Sequence, residues 1–410
     1  ILELNEFNIE LLKYYANKFN FDNIKKILRF NKSKTYTNDR YIGDNNQDGY
    51  LDPWSQWVSI HTTKESRFHK IKNLGDIPNL KYKQVWEKYK NRNFYIWGPM
   101  NASRRSSKNV KFFFPDPWVY SEKAFPKYLN EILDPIKIFT KTRGKISIKK
   151  KIKLGTKIFN NIYKLSGFFL ILKSLKIIVN GVIKLKIKPI VFIVAWEFLT
   201  INIFLKLIKN KKNSISIFFM NSLAHAQHHY WNKNSEEIKF CLNYLDYSIG
   251  KIIENKELNL IIISGLSQRN SAKENLCLYE QYSHEKFLKF ININFFKIEK
   301  LMTNDAFIFF NNKTDTLNSA KMLRKVKFKN EKLFHVEILS NKKIFYKTNF
   351  LKRVKSSDKL IINDIRVNFL TFFKFITLRR GIHHHEGSVL SQNKIFPEVL
   401  KNHSTFNFIK

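Results

Sequence analysis

Residues Ile215 to Met220 form a largely apolar run. A run of this length reads as a strand buried on both faces of a sheet. The segment after it constrains the chain more than the run does. Asn221-Ser222-Leu223-Ala224-His225-Ala226-Gln227-His228-His229-Tyr230-Trp231 brings three of eleven histidines to the strand's C-terminal end. Open α/β sheets keep their binding crevices at such ends. A second run, Leu258 to Ile263, ends on Ser264-Gly265-Leu266-Ser267-Gln268. Three more histidines form His383-His384-His385. Two imidazole clusters far apart in sequence could share one zinc, manganese or iron ion. The alternative is a set of hydrogen-bonded structural histidines.

The rest of the chain alternates strand and helix patterns. Ile1 to Asn5 reads as a first strand, and Ile9 to Phe30 has helical spacing of apolar residues. Residues 31–50 read as a polar loop. Asp52 to Thr63 carries too many aromatic and hydroxyl groups for an ordinary surface loop. Val85 to Tyr89 starts a short helix, Phe94 to Trp97 is a strand, and Phe112 to Trp118 reads as an aromatic turn region. Ile238 to Ile253 is an amphipathic helix, and residues 290–375 mix both patterns. The alternation predicts one α/β domain over 1–410, a three-layer sandwich with a mixed, largely parallel sheet flanked by helices.

Residues 136–212 differ in character. They are Lys-rich and aliphatic, which predicts a helical insertion, as a lid or cap. Its most apolar part, Ile190 to Leu205, is interrupted by Glu197 and Asn202 and is short for a membrane span of about 20 residues. A buried or lid helix is expected, and the basic, apolar segment also suits contact with a membrane surface.

The formal charge is +40, carried by 60 Lys and 13 Arg. Nucleic-acid readers favour Arg for bidentate contacts, and here Lys is spread along the whole chain. An anionic small molecule or glycan is the expected ligand, not nucleic acid. Two cysteines, Cys241 and Cys277, without a CxxC pair exclude a zinc ribbon and a disulfide scaffold. Ile1 opens on a core-like strand, so no signal peptide is visible and a cytoplasmic location is expected; the missing initiator Met leaves room for a trimmed leader.

The order of these motifs resembles the alkaline phosphatase superfamily, in its type I phosphodiesterase/nucleotide pyrophosphatase branch. Asn5 stands at the N-terminal Asp position of that family. Thr62-Thr63 and His69-Lys70-Ile71 are similar to the segment after its nucleophile, and Trp97-Gly98-Pro99 to its Trp-Pro-Gly strand end. Asn221-Ser222-Leu223-Ala224-His225 has the spacing of its Asp-x-x-Gly-His element. Asp246-Tyr247-Ser248-Ile249-Gly250 matches the helix after that element, Ser264-Gly265-Leu266-Ser267 its Ser-Asp-His-Gly strand end, and His384 or His385 before Gly387 its C-terminal metal histidine. The chain also resembles bacterial members with Pro-Trp-x-Gln-Trp and Ala-His-x-Gln-His-His elements, associated with surface-polysaccharide loci.

The resemblance implies a hydrolase or transferase acting on a phosphoester or related ester in surface-polysaccharide metabolism. The other reading is a catalytically silent member that binds a glycan or protein partner. Family members hold two cations about 4 Å apart. Here Gly265 and Leu266 offer no ligand, and Asn5 and Asn221 replace carboxylates. A binuclear centre is therefore not expected, and activity on simple phosphate diesters should be very low or nil. One divalent ion is expected instead, held by Asn5, Asn221, His225, His229 and His384, with Glu3, Glu6, Glu386 or His228 as compensating ligands. Ser55 and Thr62 are the candidate nucleophiles, with Ser59 as an alternative; a capping or turn hydroxyl is the competing reading for them.

Overall fold

The computed structural model describes residues 1–40, 50–142, 144–301, 304–362 and 365–409. The chain divides into two compact units, where the sequence reading has one domain. Of the described residues, the larger unit takes 1–40, 50–269 and 383–409, and the smaller takes 270–382.

The larger unit is built on an eight-stranded sheet. Its strands are β1 (Leu2–Leu4), β2 (Asn31–Tyr36), β3 (Asn93–Trp97), β4 (Val110–Phe114), β5 (Ser214–Met220), β6 (Ile261–Ser264), β7 (Glu386–Ser391) and β8 (Val399–Lys401). Their spatial order is β8-β2-β7-β6-β1-β5-β3-β4. β6, β1, β5, β3 and β4 run parallel, and so do β2 and β8. β7 is antiparallel to both its neighbours. The sheet is therefore mixed and largely parallel, as expected. One consequence matters for the site. The C-terminal ends of β1, β5 and β6 and the N-terminal end of the reversed β7 share one edge.

Helices cover both faces, because every residue of a central strand such as β1 is buried. On one face Leu2, Leu4, Phe218 and Ile262 pack with helices α1 (Ile9–Phe19), α6 (Pro189–Ile208) and α8 (Glu236–Glu254). On the other, Ile217, Ile263 and Val389 pack with Trp57 and Ile60 of α2 (Pro53–Thr62) and with Trp86. Between these elements come α3 (Asn130–Thr142), α4 (Ile148–Ser166), α5 (Phe168–Leu185) and α7 (Ser222–Tyr230). Most of the described residues between 136 and 208 are therefore helical. α6 is long and apolar enough to cross a bilayer, yet most of its side chains lie in the core.

Several local readings change. The helix expected over Ile9 to Phe30 breaks at Asn20, whose φ of 54° ends α1 in the left-handed region, and a second helix runs Asp22–Ile27. Of the loop expected at 31–50, residues 31–36 are strand β2, and 41–49 lie outside the described residues. Within Asp52 to Thr63 lies helix α2, Pro53–Thr62, with Pro53 at its first position. Val110–Phe114 is edge strand β4, not a turn; the turn begins only at Pro115.

The smaller unit has a four-stranded antiparallel sheet (Phe334–Ser340, Lys343–Thr348, Asp305–Phe309, Lys297–Lys300) and a helix, Lys313–Lys325. Its core contains Tyr279, Phe287, Phe328, Phe369 and Phe373.

Candidate functional site

Strand β1 delivers Asn5 and Glu6 to the shared edge. Glu6 has φ of 52°, a left-handed conformation that costs a non-glycine residue about 1 kcal/mol and recurs at functional sites. The backbone there is clamped from α7, where Gln227 Nε2 donates to the Glu6 carbonyl at 2.7 Å. The carboxylate is buried and faces two imidazoles from distant parts of the chain. His228 Nε2 lies 3.1 Å and His383 Nε2 3.2 Å from Glu6 Oε2. The three ligand atoms lie within 4.8 Å of one another. Gln268 Nε2 adds a 2.6 Å bond to the same oxygen, and Asn5 Nδ2 donates to Oε1 at 3.0 Å.

His383 is oriented from behind. Its Nδ1 sits 3.2 Å from Asp52 Oδ1 and 3.1 Å from the Leu51 carbonyl. Both are acceptors, so Nδ1 carries a proton, and Nε2 is turned toward Glu6 and His228. A carboxylate or carbonyl behind one nitrogen is how ligating histidines are held. Burial opposes charge on His383, but Glu6 and Asp52 outweigh it and push the imidazole up to about 9. Burial likewise favours a neutral Glu6, yet His383 and His228 hold its carboxyl well below the usual carboxylate range.

The cluster fits a cation by its donor set. One carboxylate and two imidazoles suit zinc, manganese or iron, and three protein ligands leave a coordination position open. Tetrahedral bonds of about 2.1 Å place ligand atoms roughly 3.4 Å apart, close to the separations from Glu6.

The positions that resemble the superfamily's own metal ligands do not fit one. Trp57 Nε1 donates to Asn5 Oδ1 at 2.8 Å. Indole N–H is only a donor, so the amide orientation is settled and Asn5's acceptor is occupied. Asn5 Nδ2 then donates to Asn221 Oδ1 at 2.8 Å. Asn221 Oδ1 is thus held by the Asn5 amide. At Gly265 an added Cβ would lie 2.5 Å from Ile60 Cδ1, so α2 fills the space a carboxylate would need.

The other expected residues lie apart from this cluster. His225 and His229 pack against each other on α7 with ring centroids 4.6 Å apart and planes tilted by 54°. Burial, reinforced by His228, lowers His225 to about 4. His384 packs against His385 with centroids 4.4 Å apart. Neither His225, His229 nor His384 belongs to the Glu6 cluster. Thr62 Oγ1 donates to the Val58 carbonyl at 2.7 Å, as helix hydroxyls do. Ser55 Oγ is buried without a hydrogen-bond partner.

Ser59 is the α2 hydroxyl held to an imidazole, 2.9 Å from His69 Nε2. The Ile71 N–H donates to His69 Nδ1, so the ring proton sits on Nε2 and points at Ser59. In this tautomer His69 cannot take a proton from Ser59, and burial lowers its pKa to about 4.

Sequence reasoning placed Glu6 only among compensating ligands, joined His228 or His229 to His225 and the His383–His385 run in one centre, and missed Asp52. The one available signal for Asp52 was its place before Pro53-Trp54, at a helix start.

No family model matches the chain, and no curated protein matches it. Among solved structures it is similar to phosphonoacetate hydrolase from Sinorhizobium meliloti 1021 in complex with phosphonoformate, at 9% identity over 99% of this chain and 93% of that one, TM-score 0.45. It is similar to an inactive variant of murine ectonucleotide pyrophosphatase/phosphodiesterase 5 in complex with AMP, at 10% identity over 100% and 92%, TM-score 0.46. A TAB5 alkaline phosphatase mutant with bound Mg shares 12% identity over 100% and 96%, TM-score 0.38. Identities this low leave activity and ligands to be argued from this chain's own residues.

Proposed function

We propose that this protein is a divergent phosphoester or related-ester hydrolase that uses one divalent cation held by Glu6, His228 and His383. The observation that carries the reading is the convergence of three ligand atoms within 4.8 Å at the C-terminal sheet edge. Asp52 behind His383 supports it. A cation bound there would supply Lewis acidity toward an anionic ester oxygen. Glu6 contributes the negative charge, and Gln268 and Asn5 hold its two oxygens in place. Ser55 and Thr62 have no activating base in hydrogen-bond contact, so the reading assigns hydrolysis by water rather than a covalent serine or threonine step. The substrate class is a small anionic ester, and surface-polysaccharide metabolism is the setting the sequence resemblance suggests.

The second reading is a silent member that binds a glycan or protein partner. The Glu6 carboxylate already accepts from Asn5, Gln268, His228 and His383, which favours a self-sufficient ion-pair network. Metal analysis of purified protein separates the two. The hydrolase reading expects close to one equivalent of zinc, manganese or iron, lost in Glu6→Gln and in His228→Ala. A folded protein that neither carries nor binds a cation by calorimetry supports the silent reading.

A further inference from the structure

Helix α5 is apolar on two faces. Leu170, Ile171, Ser174, Ile177, Gly181 and Leu185 point into the core. A second stripe points outward: Phe168, Leu172, Leu175, Val179 and Ile183 recur at steps of four, three, four and four residues. At 100° per residue these five fall within an arc of about 80°. Exposure is large, at 81% for the neighbouring Phe169, 76% for Ile183 and 56% for Val179. Helix α4 repeats the pattern, with Ile148, Ile152, Phe159 and Tyr163 exposed along one side. Isolated exposed apolar residues are ordinary, but two helical stripes of them are not.

The charge of the same segment decides what would cover it. From Gly144 to Lys188 there are twelve lysines and neither Asp nor Glu. Lys157 and Lys188 face Glu131 and Glu237. Lys173, Lys176 and Lys184 are exposed on α5 itself, on one side of its outward stripe. A protein partner matched to this surface would need both an apolar stripe and a dense acidic rim. An anionic bilayer offers both in one structure, with acyl chains below a sheet of negative headgroups.

We infer that α4 and α5 form a docking surface for anionic lipid bilayers, with Phe168, Phe169, Val179 and Ile183 entering the headgroup–acyl boundary and the flanking lysines on the headgroups. Nothing spans the bilayer in this arrangement. The surface lies in the insertion at 136–212, and docking does not involve the Glu6 cluster.

The test is co-sedimentation of the full chain with phosphatidylcholine vesicles, with and without an equal share of phosphatidylglycerol. Binding is expected to the mixed vesicles and to fall by more than about tenfold on pure phosphatidylcholine. Replacing Phe169, Val179 and Ile183 together by Ser should lower partitioning by more than about tenfold, as should Lys173→Gln, Lys176→Gln and Lys184→Gln combined. All six side chains are exposed, and unchanged thermal melting confirms that each variant is folded. A chelator should leave binding unaltered, which separates this result from the fate of the cation reading. Equal binding to both vesicle types, or a Ser variant that binds like the parent, overturns the inference. So does an absence of binding to the mixed vesicles; a parent dimer in analytical ultracentrifugation that the Ser variant dissolves would then assign the stripe to a second copy.

Discussion

Two buried glutamates flank helix α7, and their surroundings drive them in opposite directions. Glu197 reaches from α6 to the helix N-terminus, where Oε1 accepts from the Asn221 and Ser222 N–H groups at 2.5 and 2.7 Å. Burial dominates there and pushes its pKa up to about 7, with the hydrogen bonds from Ser222 and Asn221 pulling only partly back. Glu6 is as deeply buried, yet two imidazoles hold its carboxyl well below the usual range. Backbone N–H groups and a helix dipole offset part of the desolvation of a carboxylate; cationic partners reverse its effect. Burial alone therefore does not decide which carboxylate is charged. The partners do, and here the charged one sits where ligands converge. Glu197 holds the N-terminus of the helix that carries His228.

The comparison breaks first at Glu6. Glu6→Gln removes the negative partner of two imidazoles, and breaking a buried pair typically costs about 3–5 kcal/mol. Denaturant unfolding in the presence of a chelator should show a loss of this order. A loss below about 1 kcal/mol would mean that the pair carries little of the fold.

Glu197 comes next, through pH. Its folded value of about 7 lies above the ordinary 4.5. Between these values the folded state holds a proton that the unfolded state has released. Stability thus falls as pH rises from about 4.5 to 7 and levels off above, by up to about 3 kcal/mol. Glu197→Gln keeps the accepting oxygen without the charge and should flatten this decline. Parallel pH–stability curves for parent and variant would count against it.

A smaller effect is expected at Gly265. Gly265→Asp forces an atom against Ile60 Cδ1 and should cost about 1–3 kcal/mol. Ile60→Val deletes that methyl, so a double-mutant cycle should return part of the cost as coupling. Additive single effects would show that the crowding lies elsewhere.

Ser55→Ala should change least. Its hydroxyl is buried and unpartnered, so unfolding free energy should shift by no more than about 0.5 kcal/mol. Hydrolysis of a simple aryl phosphodiester should be unaffected, and robust activity lost in this variant would restore Ser55 as a nucleophile.

Much of the architecture was legible before any coordinates. The apolar runs at 215–220 and 258–263, the strand at 94–97 and the helical insertion come from periodicity, which reports the two spacings of side chains along strand and helix. Misreadings fell where local chemistry is ambiguous. Prolines at 115 and 117 made the aromatic strand β4 look like a turn, although both lie beyond its last residue, Phe114. The aromatic and hydroxyl residues of α2 masked a helix whose buried face meets the sheet.

The site was legible only as a neighbourhood. The sequence determined that histidines collect at strand ends on one sheet edge. It could not say which ones meet. Neighbouring residues of a strand point to opposite faces, so pairing decides that His383 is buried while His384 turns outward. On α7, His228 follows His225 by three positions, and only packing against the sheet edge selects the second for Glu6. Glu6 itself faces the imidazoles through a left-handed backbone turn held by Gln227 from 221 residues away. Choices of this kind rest on contacts between distant segments, which no local pattern encodes, so they belong to the tertiary structure alone.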